Sequence, residues 1–374
     1  MKKVDNPFLI YGYEGPEYFC DRKRETAEVI EALCNGCNLT LMSPRRYGKT
    51  GLIRNAFYLL EKQRIDVQCF YVDIYATKTL GDFVAMLGKC VLGKLDSPLK
   101  KAGDFIGGVI KSAKVTLTPD YITGVPEIGL TFQPQYTKNT LEEIFEYLRL
   151  SGKQCYIAID EFQQITEYPD DNVEELLRTY VQQMHNVHFI FAGSKLHMMS
   201  EMFGSPRHPF YRSTERMNLH VIDEKVYYDF AQDKLNEKKV TISPFVFSRL
   251  YGLVDGVTWY VQTILNRLYR LSECEVTEGL LNKIIDQILM SEEDYYKRQV
   301  HQLTIVQVRL LSAIAKEGMV AEALSGKFVH AHGLKSTSSV QRALQSLMDE
   351  EYVYQTENGY IVYDRFLGMW LKRR

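Results

Sequence analysis

The chain has 374 residues, 45% of them hydrophobic and 25% charged, and its formal net charge is −2. This length suits two or three domains, and this composition is typical of a globular protein with a sizeable apolar core. A net charge near zero excludes a nucleic-acid footprint spread over the whole chain, so any such contact would be local.

The sequence contains no run of about 18 apolar residues, so we expect no membrane span. No apolar segment follows the lysines at positions 2 and 3, so we expect no signal peptide. The seven cysteines are an odd number and lie in apolar stretches. This usage is typical of reduced thiols and predicts a cytoplasmic protein.

Short apolar runs alternate with segments of helical periodicity over residues 38–222. A first helix begins near Asp21. The pattern then predicts strands at 38–42, 67–74, 155–161, 187–192 and 217–222. Helices are predicted between them at 49–64, 80–95, 141–150 and 171–185, with an insertion at 96–137 that contains a hairpin. This order predicts an α/β fold, a parallel sheet with helices on both faces.

After residue 223 the strand pattern stops, and helices are predicted at 223–237, 243–253, 257–272 and 276–293. The last part of the chain predicts helices at 304–316, 321–330 and 337–350, then β-prone segments at 352–355 and 360–363. Three helices followed by a hairpin are the order of a winged helix. We therefore predict three domains, an α/β core (1–222), a helical domain (223–295) and a winged helix (296–374).

The loop between the first strand and the second helix carries the strongest chemical signal. It resembles the phosphate-binding pattern Gly-x4-Gly-Lys-Ser/Thr, with Ser43 in the place of the first glycine. Backbone N–H groups of the loop and of the helix start would cradle a polyphosphate. The Lys49 side chain would reach the β- and γ-phosphates, and the Thr50 hydroxyl would ligate Mg²⁺. The predicted binding residues are Ser43, Pro44, Arg45, Arg46, Tyr47, Gly48, Lys49, Thr50 and Gly51.

The two arginines inside this loop have two interpretations. Arg45 and Arg46 would either face phosphate or pair with acidic groups on the body of the protein. We prefer the second interpretation, because the backbone of such a loop does most of the anion binding.

An acidic pair follows the apolar run at 155–159. Asp160 would lie at the carboxyl edge of the parallel sheet, where ligands of open α/β sheets bind. It would hold Mg²⁺ directly or through water. Glu161 would act as the general base on an attacking water.

Two further side chains are candidates for the same chemistry. Ser194, at the end of the strand at 187–192, would contact the γ-phosphate or the attacking water, or would cap the helix that follows. Arg207, Arg212 and Arg216 lie around residues 209–211. Arg212 is our candidate arginine finger, and a solvated surface arginine is the alternative.

The third helix of the winged domain would be capped by the serines near Ser336, with Val340, Leu344 and Leu347 buried. Residues 296–374 contain eleven Lys/Arg against seven Asp/Glu. This balance allows contact with phosphate without requiring it. The winged helix would therefore bind DNA, or would serve for docking within the chain or for contact with another protein, and both interpretations stay open.

Together these stretches resemble the P-loop ATPases of the AAA+/STAND branch, in particular the archaeal-type ATPase family. The matching stretches are 6–8, 19–25, 43–50, 157–161, 191–194, 209–211, 256–260 and the winged helix. The resemblance implies a P-loop NTPase sheet in which the strand carrying Ser194 separates the P-loop strand from the Asp-Glu strand. It also implies ATP and Mg²⁺ as cofactors, a helical lid at 223–295, and contact of Phe19 and Arg22 with adenine.

Two functions are open at this point. One is an Mg²⁺-dependent ATPase in which slow hydrolysis drives a conformational switch. The other is a nucleotide-gated regulator that binds DNA or protein with little or no turnover. A homo-oligomer, in which a neighbouring subunit supplies the arginine finger, is a further open possibility.

Overall fold

The structure is a computed structural model that describes residues 4–64, 66–92, 108–118, 127–271 and 274–374. Residues 96–107 of the predicted insertion, the turn of its hairpin at 119–126 and the predicted helix end at 93–95 lie outside these residues. The chain forms two compact units. The first contains residues 11–222, and the second contains residues 4–10 together with 223–374.

The first unit alternates strands and helices. Its strands are β1 (Leu39–Met42), β2 (Val67–Asp73), β3 (Lys114–Thr118), β4 (Glu127–Thr131), β5 (Gln154–Asp160), β6 (Val187–Gly193) and β7 (Glu215–Asn218). Its helices are α1 (Lys23–Cys34), α2 (Lys49–Gln63), α3 (Leu80–Val91), α4 (Thr137–Leu150), α5 (Val173–Gln183) and α6 (Leu196–Gly204). The hairpin predicted within the insertion is confirmed, because β3 and β4 pair antiparallel.

Five strands form one parallel sheet in the order β2-β5-β6-β1-β7. The strand that ends before Ser194, β6, therefore lies between the P-loop strand β1 and the Asp-Glu strand β5, as the resemblance implies. The prediction of 217–222 for the last strand is wrong in its bounds. The strand β7 pairs with the four residues of β1, from Leu39 opposite Glu215 to Met42 opposite Asn218, and it ends where its partner ends.

Alternating side chains divide the core into two layers. On β5, Ile157 and Ile159 belong to the cluster formed with α3, α4, α5 and α6, whereas Tyr156 and Ala158 belong to the cluster formed with α1 and α2. This is the two-residue period of a strand buried on both faces. The predicted sheet with helices on both faces is thus confirmed, and its carboxyl edge is left to the loops.

The second unit is mainly helical. Its helices are α7 (Glu224–Asn236), α8 (Pro244–Leu253), α9 (Thr258–Leu271), α10 (Glu278–His301), α11 (Ile305–Glu317), α12 (Gly326–Ala331), α13 (Thr337–Asp349) and α14 (Arg365–Lys372). Its strands are β8 (Thr241–Ile242), β9 (Glu275–Val276), β10 (Val353–Thr356) and β11 (Gly359–Val362). The short parallel pair β8–β9 lies in a region where the sequence predicted only helices. The domain boundary predicted at 295/296 falls inside the continuous helix α10.

The winged helix is formed by α11, α12, α13 and the antiparallel hairpin β10–β11. As predicted, Ser336 caps α13 by accepting a hydrogen bond from the Ser339 N–H, and Val340, Leu344 and Leu347 are buried. The helix α14 after the hairpin was not predicted. Its Phe366 packs edge-on against Tyr260 of α9, with ring centroids 4.9 Å apart.

No helix in the described part of the chain combines the length and the apolar character that a membrane crossing requires.

Candidate functional site

The loop after β1 leads directly into α2. Gly48 precedes the helix with a φ of 92°, in the left-handed region that favours glycine. Ser43 does not have a positive φ, so its position does not require glycine. The local conformation therefore explains why one glycine of the pattern is present while the other is replaced by serine.

Lys49, the first residue of α2, reaches the end of β5. Its Nζ lies 3.2 Å from Asp160 Oδ1 and 3.6 Å from Glu161 Oε1. The side chains of Lys49 and Asp160 are only 7% and 5% exposed. Buried charges need such partners, because the loss of hydration costs several kcal/mol per ion. The three side chains thus form one ionic cluster at the carboxyl edge of the sheet.

The protonation of Asp160 follows from this cluster. Burial alone would raise the pKa of this carboxyl, but the Lys49 ammonium and the hydrogen bond donated by Tyr71 outweigh it. The pKa of Asp160 is therefore held below its usual range, and the side chain is a carboxylate at neutral pH. Anionic oxygen is the ligand that Mg²⁺ prefers.

Sequence reasoning did not identify Tyr71. Its hydroxyl donates to Asp160 Oδ2 at 2.5 Å, and the Thr50 hydroxyl donates to the same oxygen at 3.1 Å. Burial, and then the charge of Asp160, raise the pKa of the Tyr71 phenol. The only available signal was a tyrosine near the carboxyl end of a predicted strand.

Ser194 lies beside Glu161. Its hydroxyl donates to Glu161 Oε2 at 2.6 Å. The following helix, α6, has Lys195 at its N-cap position and no side-chain capping bond, so the capping alternative for Ser194 is excluded. The other predicted role, contact with the γ-phosphate or the attacking water, agrees with the position of Ser194 beside Glu161.

Gln163 is a second residue that sequence reasoning missed. Its amide donates to the same Glu161 oxygen at 2.6 Å. A Cβ added at Gly193 would meet the Gln163 side chain at 2.5 Å, so glycine is needed there for this close approach. Glu161 itself has a φ of 58°, in the left-handed region. Two donors and an unusual backbone conformation thus fix the direction of the Glu161 carboxylate.

Arg22 is buried and its guanidinium bonds to protein acceptors. It donates to Glu25 Oε1 at 2.8 Å, to the backbone carbonyl of Tyr47 at 3.3 Å and to that of His220 at 2.5 Å. The bond to Tyr47 reaches the phosphate-type loop from outside. Arg22 therefore holds that loop, and the predicted contact with adenine stays a prediction.

Phe19 lines an open cavity of about 340 Å³, together with Asp21, Thr26 and Asn55. The cavity lies next to α2, where a Cβ added at Gly51 would come 3.1 Å from the Phe19 ring. The Phe19 ring thus lies against the first turn of α2 at Gly51, whereas Arg22 does not line the cavity.

The remaining arginines lie farther out. The guanidinium of Arg45 lies 5.3 Å from the centre of the Tyr75 ring, and Arg46 has a φ of 73°. Arg212 is exposed and lies 5.2 Å from the centre of the Tyr211 ring. Among the described residues, no hydrogen bond or ion pair joins Arg212 to Glu161 or Lys49.

The residues present fit a phosphate group with Mg²⁺. Ser43 Oγ is buried and has no hydrogen-bond partner within the described chain, so the loop holds a polar group that the protein does not satisfy. Within the same residues, no group of three or more His, Cys, Asp or Glu is arranged as a metal site. This is expected for Mg²⁺ held by one carboxylate and one hydroxyl, which takes its other ligands from phosphate and water.

Comparison with known proteins identifies the family of the chain. A family model described as an ATPase domain predominantly from Archaea matches residues 19–264, and a model of a probable winged helix domain matches residues 294–373. The first match spans more than half of the chain, so the protein belongs to this family of ATPase domains. No curated protein matches the chain.

Solved structures share the fold. The Walker-type ATPase of Pyrococcus abyssi is 17% identical with a TM-score of 0.66, over 98% of this chain and 99% of that one. The ORC2 protein of Aeropyrum pernix is 13% identical with a TM-score of 0.61, over 98% and 95%. The ORC1 protein of Aeropyrum pernix is 13% identical with a TM-score of 0.55, over 99% and 96%. The P-loop core followed by a winged helix is thus confirmed.

Proposed function

We propose that the protein binds ATP with Mg²⁺ at the carboxyl edge of the sheet and hydrolyses it slowly. The observation that carries the proposal is the ionic cluster beside the loop at 43–48, in which Lys49 and Asp160 are buried and Glu161 is partly buried. A buried lysine between two acids is positioned to exchange them for phosphate oxygens when ATP binds.

Each residue has a separate role in binding. Lys49 contacts the β- and γ-phosphates, while the backbone N–H groups of residues 43–51 enclose them. Thr50 and Asp160, whose oxygens are 3.1 Å apart, would hold the metal. Bound Mg²⁺ neutralises charge on the phosphate oxygens. Phe19 lies at the cavity that would accept the base.

Hydrolysis is assigned to Glu161. Its carboxylate accepts a proton from a water molecule, whose oxygen attacks the γ-phosphorus as the bond to the β–γ bridging oxygen breaks and ADP leaves. Ser194 and Gln163 both donate to the oxygen Oε2 of Glu161. Because these bonds compete with a water for the same atom, we expect slow turnover.

The direct test is ATP turnover by the wild type, Lys49→Ala and Glu161→Gln. We expect Glu161→Gln to bind ATP and to hydrolyse it at least about a hundredfold more slowly, since removal of a general base costs about 10²–10⁴ in rate. Lys49→Ala should fail to bind. If all three proteins show equal near-zero turnover while the wild type binds ATP, the enzyme proposal is wrong.

The source of an arginine finger is part of this proposal. Arg212 is exposed, so it would serve a neighbouring subunit of a homo-oligomer more readily than its own chain. Measurement of the molecular mass in solution with and without ATP tests this. A monomer under both conditions would contradict a finger supplied by a neighbour.

A nucleotide-gated regulator is the second candidate, and the exposed side of α13 favours it. Gln341, Arg342 and Gln345 lie on that side, with Lys335 before the helix. The ORC1 structure of similar fold contains DNA. Arg373 and Arg374, however, pair with Asp286 and Glu293 at 2.7 and 2.9 Å, so their charge is already balanced.

Salt-titrated DNA binding by the full chain tests this candidate. If Lys335 and Arg342 contact phosphates, the affinity for DNA should fall as the salt concentration rises. Removing either charge should reduce the slope of log affinity against log salt concentration by about one. No binding at low salt by the wild type would remove the DNA function and leave a protein partner.

The proposed switch would use the second unit as one body. Arg365 of α14 forms an ion pair with Asp255, N to O 2.7 Å, and Phe366 packs on Tyr260 of α9. These contacts tie the helices at 223–271 to the winged helix. We propose a cytoplasmic location, since all seven cysteines are free thiols.

A further inference from the structure

Tyr71 reaches both of the residues to which the metal is assigned. It lies on β2, opposite Ala158 of β5, and two residues before Asp73 pairs with Asp160. Its hydroxyl is 2.5 Å from Asp160 Oδ2 and 3.4 Å from Thr50 Oγ1. The phenol thus ends between the two side chains.

The hydrogen bonds of Asp160 show what this contact does. Oδ1 lies 3.2 Å from Lys49 Nζ and accepts the Glu161 N–H at 3.0 Å. Oδ2 accepts from Thr50 and from Tyr71. A Thr50 hydroxyl that held a metal would no longer donate its proton to Asp160. Among the described residues, Tyr71 would then be the donor still bonded to Oδ2, and it would keep that oxygen oriented.

The ring of Tyr71 is itself held in place by α2. The Arg54 guanidinium lies 4.5 Å from the ring centre, and the ring packs on the cluster between the sheet and α2. Arg54 follows Thr50 by four residues, so both lie on one side of the helix. The same helix therefore positions a metal ligand and the tyrosine that contacts the other ligand.

We propose that Tyr71 is a positioning residue for Mg²⁺, which fixes the Asp160 carboxylate toward Thr50 before the metal arrives. This inference rests on the proposed function, since it assigns a residue to the same metal. Hydrogen-bond partners of metal ligands typically change metal affinity by about 10–100-fold. Tyr71 should act on metal affinity and leave metal-free nucleotide binding unchanged.

The test is a Mg²⁺ titration of the binding of a fluorescent ATP analogue to the wild type and to Tyr71→Phe. Phenylalanine keeps the ring and its contact with Arg54 and removes only the hydroxyl. We expect the Mg²⁺ midpoint to rise at least about tenfold. Saturating Mg²⁺ should restore wild-type affinity, and binding in EDTA should be unchanged.

Two further variants make the result specific. Tyr180→Phe removes a hydroxyl from a ring stacked on Phe145, 4.9 Å away, and should keep the wild-type midpoint. Arg54→Gln keeps the hydroxyl but frees the ring, and should raise the midpoint about threefold. Equal melting temperatures confirm that the variants are folded.

The outcomes separate the two proposals. Wild-type protein whose ATP binding ignores Mg²⁺ would overturn the metal part of the proposed function. A wild type that responds to Mg²⁺, with a Tyr71→Phe midpoint within about twofold of it, would overturn the role of Tyr71 alone. Loss of affinity in Tyr71→Phe that saturating Mg²⁺ does not restore would show a structural effect, and would also overturn that role.

Discussion

The carboxyl edge of the sheet and the exposed side of α13 differ in whether their charged side chains are buried and paired or exposed to solvent. At the edge, the buried Lys49 at the start of α2 is paired with the buried Asp160 at the end of β5 and with the partly buried Glu161 that follows it. On α13, Arg342 is exposed and its guanidinium donates only to the backbone oxygen of Ser338 among the described contacts.

The two regions therefore differ in how far their charged side chains are ordered before a ligand binds. Buried charges are held by fixed neighbours, so the protein has already met the cost of ordering them, and one substitution has a large effect. Exposed charges are hydrated and flexible, so one substitution has a small effect. The structure therefore favours nucleotide over DNA as the better-defined ligand.

The largest effect should come from Lys49→Ala. It removes the proposed phosphate contact and leaves the buried Asp160 and the partly buried Glu161 without their cation, so ATP affinity should fall at least about a hundredfold. Calorimetric titration with ATP and Mg²⁺ measures this. Lys62→Ala, an exposed lysine at the other end of α2, is the matched control and should bind normally. Affinity within about threefold of wild type would show that the cluster is not the phosphate site.

Arg22→Ala should lower the free energy of unfolding by about 3 kcal/mol, because it leaves Glu25 and two backbone carbonyls without their buried donor. The loop held through Tyr47 should loosen, so ATP affinity should fall as well. Urea denaturation and ATP titration measure the two effects. Arg24→Ala, which removes an arginine that is 83% exposed on the same helix, should change neither.

These two predictions also show what sequence can and cannot supply. Lys49, Thr50, Asp160 and Glu161 were found because each follows a strand or opens a helix, and that signal is local. The partner of Arg22 at His220 is 198 residues away. Tyr71 and Gln163 matter only because β2 lies beside β5 and because Glu161 turns through a left-handed conformation. The spacing of residues along the chain predicts neither the strand order nor the left-handed conformation of Glu161.

The bounds of single elements failed for related reasons. The edge strand β7 takes its length from β1, and α14 is set by packing on Trp259 and Tyr260, with ring contacts at 6.2 and 4.9 Å. Tertiary packing sets the bounds of both elements, whereas the bounds of α2, α7 and α9 were predicted within one residue at each end. The helix α10 continues eight residues beyond its predicted end at 293.

Ser43→Gly should change ATP affinity by only a few-fold. It removes a buried hydroxyl that lacks a partner, which favours the variant, and it removes a donor available to phosphate, which favours the wild type. ATP titration of the variant decides between them. A large loss would give the Ser43 hydroxyl a direct part in binding.

Asp73 offers a smaller, pH-dependent effect at the same edge. Burial, and then the nearby Asp160 and Glu161, raise the pKa of its carboxyl above the ordinary 3.8. Because the folded protein then holds this proton more tightly than the unfolded chain, stability falls as the pH rises through that raised pKa. Asp73→Asn should melt slightly above the wild type at neutral pH and equal it near pH 3.8. A variant that melts below the wild type at neutral pH would contradict this sign.

Arg373→Ala should have the smallest effect. It breaks an exposed ion pair with Asp286, and such pairs contribute little. Its melting temperature and DNA affinity should both stay at the wild-type values. A clear loss of DNA affinity would show that this arginine leaves Asp286 for phosphate, and would reduce the contrast between the two regions.

The unbroken helix α10 restricts how this chain can change in length. It has 24 residues and therefore spans about 36 Å. Near its middle it contacts α14, through Tyr296 against Trp370 and Asp286 against Arg373. One residue inserted between positions 286 and 296 would turn one contact by about 100° from the other. Between these two contacts α10 can therefore lengthen only in near-whole turns.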